Sequence, residues 1–96
     1  MPNASLWLAA YDIADPVRLR YIASLCEDYG RRLQQSVFLC ACSSDRISRL
    51  KTAVQDRMEQ ATDHFVLLPL CERCRSRLRQ FGLEKSLPGS SGPLVV

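Results

Sequence analysis

Residues 6–13, LWLAAYDI, constrain the fold more than any other stretch, because they are apolar on both sides of an extended chain. Side chains alternate across a strand. Leu6, Leu8, Ala10 and Asp12 therefore share one face, and Trp7, Ala9, Tyr11 and Ile13 share the other. A strand of this kind sits centrally in a sheet and needs cover on both sides. It also ends on a carboxylate, Asp12, which a purely structural strand does not require.

Asp15 and Pro16 follow at once. An acid before proline reads as a helix N-cap with proline at the first helical position. The helix is predicted to bury Leu19, Ile22, Ala23 and Cys26, with Leu25 and Tyr29 widening the stripe. Gly30 is expected to end it in a left-handed conformation. Residues 31–44, RRLQQSVFLCACSS, read as extended, as two strands broken near residues 34–36. Ser43 or Ser44 caps a second helix whose stripe is Ile47, Leu50, Val54, Met58 and Ala61. DHFVLLPLC reads as a further strand, with Pro69 at its end or on an edge. CERCRSRLRQFG reads as a short helix closed by Gly82.

The order strand, helix, two strands, helix, strand predicts an α+β fold of ferredoxin-like βαββαβ type, with helices on one sheet face. Ninety-six residues suit one such domain. Its expected extent is residues 1–82, followed by a Gly/Ser/Pro linker at 83–92 and a C-terminal strand at 93–96 that adds to a sheet edge. Leu6 and Leu8 still lack cover, and a second copy of the chain can supply it.

Composition narrows the chemistry only modestly. The net charge is +3, and of the thirteen basic residues only Lys51 and Lys85 are lysines. Arginine binds phosphate in a forked manner that lysine cannot match, although codon bias produces the same preference. The five cysteines have no framework spacing, which suits free thiols in a reducing cytoplasm. No apolar run reaches a membrane span and no secretory signal is evident, so a cytoplasmic protein without membrane attachment is expected.

Three segments carry a family resemblance. YDIADPVRLRYI resembles an opening Tyr-Asp-Ile motif followed by an acid and a basic helix. EDYGRRLQQSVFLC is similar to a Tyr-Gly, Arg, Gln and Ser-Val-Phe segment in the same order. LLPLCERC is similar to a late strand running into a Cys-x-x-Cys turn. The family is that of the small CRISPR-associated proteins of spacer acquisition, the CRISPR-associated endoribonucleases. One departure is Leu39, which stands where Ser-Val-Phe is often followed by Glu.

The resemblance implies a homodimer with two sheets packed face to face and the C-terminal strand added to the partner's sheet. It implies a subunit that bridges two copies of the CRISPR integrase along duplex DNA, and, for several relatives, a magnesium-dependent endonuclease acting on RNA or duplex DNA. An architectural scaffold without catalysis is the alternative. A ferredoxin-like RNA-binding regulator is a third reading, and would need base-stacking aromatics on an open sheet face. Trp7 and Tyr11 lie on the face expected to be covered.

Asp12 then has two readings. One is a cap or backbone acceptor at a strand end. The other, which the Tyr-Asp-Ile resemblance favours, is a catalytic metal ligand. Magnesium prefers oxygen donors and often takes only one or two protein carboxylates. Two Asp12 side chains brought together on a dimer axis would suit it. Arg18 and Arg20 are candidate phosphate ligands next to Asp12, and Arg31 and Arg32 are candidates for a nucleic-acid surface, since such contacts give affinity without sequence preference. Solvated charge is the alternative for all four.

Cys71 and Cys74 have zinc-ligand spacing but supply only half of a tetrahedral set. A thioredoxin-like redox use has less support still, because the pair follows the last core strand instead of opening a helix in a βαβ unit. Buried or half-buried thiols are the simpler expectation. With His64 the sole histidine and nothing to place it near Ser36 or Cys40, a Ser-His or Cys-His hydrolase has little support. No glycine-rich phosphate loop is present.

Overall fold

The computed structural model describes residues 4–82. Seven elements follow in order: β1 (Ala4–Asp12), α1 (Pro16–Glu27), β2 (Arg31–Gln34), β3 (Val37–Ser43), α2 (Ser44–Arg57), β4 (His64–Leu70) and α3 (Glu72–Ser76). The sheet order is β2-β3-β1-β4, antiparallel throughout. This is the ferredoxin-like α+β arrangement expected. The linker at 83–92 and the strand at 93–96 lie outside the described residues.

The alternation of β1 divides the sheet as its sequence requires. Ala9, Tyr11 and Ile13 pack with Phe38, Cys40 and Cys42 of β3 against Ile22 and Cys26 of α1 and Ile47, Leu50 and Val54 of α2. Trp7 joins this helix-side core from its margin. Phe38, Ile22, Leu50 and Val54 are fully buried, and each such side chain contributes about 1.5–3 kcal/mol over an exposed position. Tyr11 lies parallel to Phe65, with ring centroids 6.1 Å apart, and stacks on Phe38 at 6.2 Å. Both β1 aromatics thus belong to the helix-side layer, so the sheet's other face offers no Trp7 or Tyr11 platform for bases.

That other face is only partly covered. Leu6 and Leu39 are buried there, with Leu8, Leu33, Leu70 and Leu78 packed around them. Leu78 comes from the segment after α3, so the chain doubles back over one end of the face. Down the β1–β4 ladder the pairs are Leu6–Leu70, Leu8–Leu68, Ala10–Val66 and Asp12–His64. Cover fades along it: Leu70 is half-buried, whereas Leu68 is 50% and Val66 39% exposed. β4 is the outer strand on this side, where Pro69 is tolerated.

Helix starts follow local sequence. The Arg18 N–H donates to Asp15 Oδ2 at 2.9 Å with Pro16 at the first helical position, and the Arg46 N–H donates to Ser43 Oγ at 3.2 Å. Several expectations need correction. Leu19 is 37% exposed and lines the depression beside the end of β1 instead of joining the core. Ala61 is exposed, since α2 stops at Arg57 and the residue falls in the following turn. Gly30 does not take a positive φ. It is required for close approach: a Cβ there would collide with the Leu39 carbonyl oxygen and Cys40 Sγ. α3 ends at Ser76, well before Gly82, which has φ +92°.

Candidate functional site

Asp12 is the last residue of β1 and is exposed on the incompletely covered face, opposite His64 of β4. Among the described residues its carboxylate makes no hydrogen bond or ion pair, so the cap and backbone-acceptor reading does not describe it. Asp15 does the capping.

A depression of about 400 Å³ opens beside it, lined by Tyr11, Asp12, Leu19, Arg20, Arg32 and Gln35 among others. Its wall is fixed by the β2–β3 turn. The Tyr11 N–H donates to the Ser36 carbonyl at 3.1 Å, and Tyr11 Oη donates to the Gln35 carbonyl at 3.3 Å. Arg32 Nη1 donates to the same Gln35 carbonyl at 3.2 Å. The strand end that presents Asp12 is therefore rigidly held while its carboxylate stays open to solvent.

The four arginines expected to contact nucleic acid separate into different roles. Arg20 is exposed on the rim of the depression, beside Asp12. Arg31 is exposed on β2, paired in register with Leu39. Arg32 is tethered: it pairs with Glu27 at 3.1 Å and lies 5.0 Å above the Phe38 ring. Arg18 departs from expectation. Its Nε donates to Asp63 Oδ2 at 2.8 Å and its Nη2 to Asp63 Oδ1 at 3.2 Å, so its fork is occupied by a carboxylate and is not presented to phosphate.

Asp63 is the residue that sequence reasoning missed. Its side chain is fully shielded from solvent. Besides Arg18 it accepts from the Ala14 N–H at 3.0 Å, the Glu59 N–H at 2.8 Å and the Thr62 hydroxyl at 3.1 Å. The Arg18 hydrogen bond, reinforced by these donors against the cost of burial, holds the carboxyl well below the usual range. This cluster ties the β1–α1 turn to the α2–β4 turn and so fixes the backbone immediately after Asp12. Its one sequence signal is an acid directly ahead of an apolar strand.

Magnesium fits Asp12 as an exposed oxygen donor without a competing internal partner, but one chain supplies little more. Among the described residues no group of three or more His, Cys, Asp or Glu side chains could hold a metal ion. Cys71 and Cys74 are exposed, not buried, with Sγ atoms 3.5 Å apart. Cys26, Cys40 and Cys42 are buried. Burial pushes the Cys26 thiol up to about 12 and the Cys40 thiol to about 11, which makes both inert as nucleophiles.

Residues 5–78 match the family described as CRISPR associated protein Cas2. The chain belongs to that family. It is 32% identical to the CRISPR-associated endoribonuclease Cas2 of Nitratidesulfovibrio vulgaris, over 98% of this chain and 96% of the relative. It is 31% identical to the CRISPR-associated endoribonuclease Cas2 3 of Synechocystis sp., over 95% of this chain and 98% of the relative. Among solved structures, Cas2 of Streptococcus pyogenes at pH 6.5 superposes with a TM-score of 0.72 at 30% identity, covering 80% of this chain and 99% of that one. Within this Cas2 chain, the departure at Leu39 has a structural counterpart. Leu39 is fully buried against Leu6, so the position serves the apolar layer. No helix among the described residues is long and apolar enough to cross a membrane.

Proposed function

We propose that this Cas2 chain is a homodimeric subunit of CRISPR spacer acquisition that bridges the integrase and duplex DNA and carries a magnesium-dependent phosphodiester-cleaving site at Asp12. The observation that carries the reading is the ladder Leu8–Leu68, Ala10–Val66 and Asp12–His64, which ends an exposed apolar surface on an unpartnered carboxylate. A second copy laid on that surface covers Val66 and Leu68 and brings a second Asp12 toward the first. The relatives named endoribonuclease support the nuclease class.

Each residue has a defined task in this reading. Asp12 offers an anionic oxygen donor whose position is set by the Tyr11 hydrogen bonds to the β2–β3 turn and by Asp63 behind the following turn. Arg20, on the rim, neutralises and orients a phosphate entering the depression. Asp12 would hold magnesium, which would supply Lewis-acid stabilisation of charge developing on the phosphodiester. Arg31 extends the basic surface along β2 and contributes affinity that does not depend on base sequence. A cytoplasmic location accords with the three buried free thiols of the core.

The architectural alternative has an observation of its own, because a single chain brings one carboxylate and no multidentate cluster among the described residues. Cleavage of RNA and of duplex DNA by wild type and Asp12→Asn, with and without magnesium, separates the two. The nuclease reading expects Asp12→Asn to lose metal-dependent cleavage while remaining dimeric by sedimentation. Undiminished cleavage by the variant removes the site from Asp12. No cleavage by wild type, with integrase association intact, leaves the scaffold.

A further inference from the structure

We propose that Cys71 and Cys74 form a reactive dithiol that exchanges with small anionic disulfides of the glutathione class and closes to an intramolecular disulfide. Both side chains are exposed, and their Sγ atoms stand 3.5 Å apart, about 1.5 Å beyond the length of a disulfide bond. Their turn is already shaped for closure. The Arg75 N–H donates to the Cys71 carbonyl at 2.9 Å, and the Cys74 N–H donates to Cys71 Sγ at 3.5 Å. That amide, and next the Cys74 thiol, hold the Cys71 thiol below its ordinary value, which makes it the better attacking group.

The surroundings select the reagent. Arg73, Arg75, Arg77 and Arg79 follow in alternation, and Glu72 is the one acid of the segment, paired with Arg75 at 3.6 Å. Positive charge at this density attracts a disulfide carrying carboxylates. Zinc is a poor match, because two sulfurs are half of a tetrahedral set and no group of three or more ligating side chains forms among the described residues.

The exchange balances without a further oxidant. The Cys71 thiolate attacks one sulfur of the reagent, forming a mixed disulfide and expelling one thiolate. Cys74 then loses its proton and attacks the Cys71 sulfur, expelling the second thiolate. The protein loses two hydrogens and the reagent becomes two thiols. The pair lies between Leu70 and Leu78, both packed on the Leu6–Leu39 cluster, so closure acts on the segment that covers one end of the open sheet face.

The test treats the full chain with oxidised glutathione, blocks remaining thiols with an alkylating agent, and reads intact mass and peptide maps. Wild type should lose two hydrogens within one chain, located to Cys71 and Cys74, while the other three thiols alkylate only after denaturation. Cys74→Ser should stop with one glutathione on Cys71. Cys71→Ser should react at least about tenfold more slowly than Cys74→Ser, the margin expected when the favoured thiolate is removed. Persistent glutathione adducts on wild type, disulfides joining two chains, or equal rates for the two variants would each overturn the proposal. Both positions are exposed, and unchanged thermal midpoints of the variants confirm that the comparison concerns reactivity.

Discussion

Arg18 in the first turn of α1 grips Asp63, 45 residues away, through two hydrogen bonds of 2.8 and 3.2 Å. The carboxylate is completely shielded and receives three further donors. Removing one partner of such a cluster strands the other without compensation. Asp63→Asn should lower the thermal midpoint by roughly 10 °C, a large shift for a domain of this size. The pH dependence has a definite sign. The folded carboxyl titrates below its unfolded value, so its contribution is complete above about pH 4–5 and is lost as pH falls toward the folded value. Wild type and Asp63→Asn should therefore differ most near neutrality and converge in acid, as followed by circular dichroism melts across pH.

Leu68 and Val66 are the exposed apolar side chains that the proposed pairing of two copies would cover. Leu68→Glu places a charge where an apolar surface would be desolvated, which an interface tolerates poorly. Sedimentation should show the dimer weakened at least about tenfold, equivalent to about 1.4 kcal/mol. The folded chain itself should be nearly unaffected, because the residue is half exposed.

Arg20 and Arg31 are the exposed candidates left once Arg18 and Arg32 are accounted for by Asp63 and Glu27. Alanine at either should weaken duplex binding and reduce the slope of log affinity against log salt by about 1 for each phosphate no longer neutralised. Fluorescence anisotropy over a salt series measures both. A variant with the wild-type slope excludes that arginine from the surface.

Gly30→Ala should destabilise the fold by about 1–3 kcal/mol, the usual range for forcing volume into a packed site. The clash falls on a carbonyl oxygen of β3 as well as on Cys40 Sγ, and backbone cannot simply swing aside. Denaturant melts give the value directly.

What can be read in advance is set by short-range rules. Period-two alternation assigns Leu6 and Leu8 to one face of β1 and Trp7, Ala9 and Tyr11 to the other, and Asp15 and Ser43 act within three residues of themselves as caps. What escapes depends on partners distant in the chain. Arg18 reads as available for phosphate because nothing local marks Asp63 as its counter-ion. Gly30 reads as a helix terminator because the approach of β3 is a tertiary event. Leu19 and Ala61 fit a helical stripe, yet Leu19 lines the open depression and Ala61 falls beyond Arg57, where α2 stops. At the candidate site, Asp12 and Arg20 are legible as residue types, but the depression they share is also lined by Gln35 and Ser36 of the β2–β3 turn, which is fastened to Tyr11 from a distant part of the chain.

Trp7, the chain's single tryptophan, is lodged at the margin of the helix-side layer and turned away from the face bearing Leu68 and Asp12. Its indole emission therefore monitors one layer of the molecule alone. Loosening of the helices would red-shift that signal, whereas events on the opposite surface would leave it silent. The protein carries its own optical reference, by which loss of structure and association with another molecule become separable in a single cuvette.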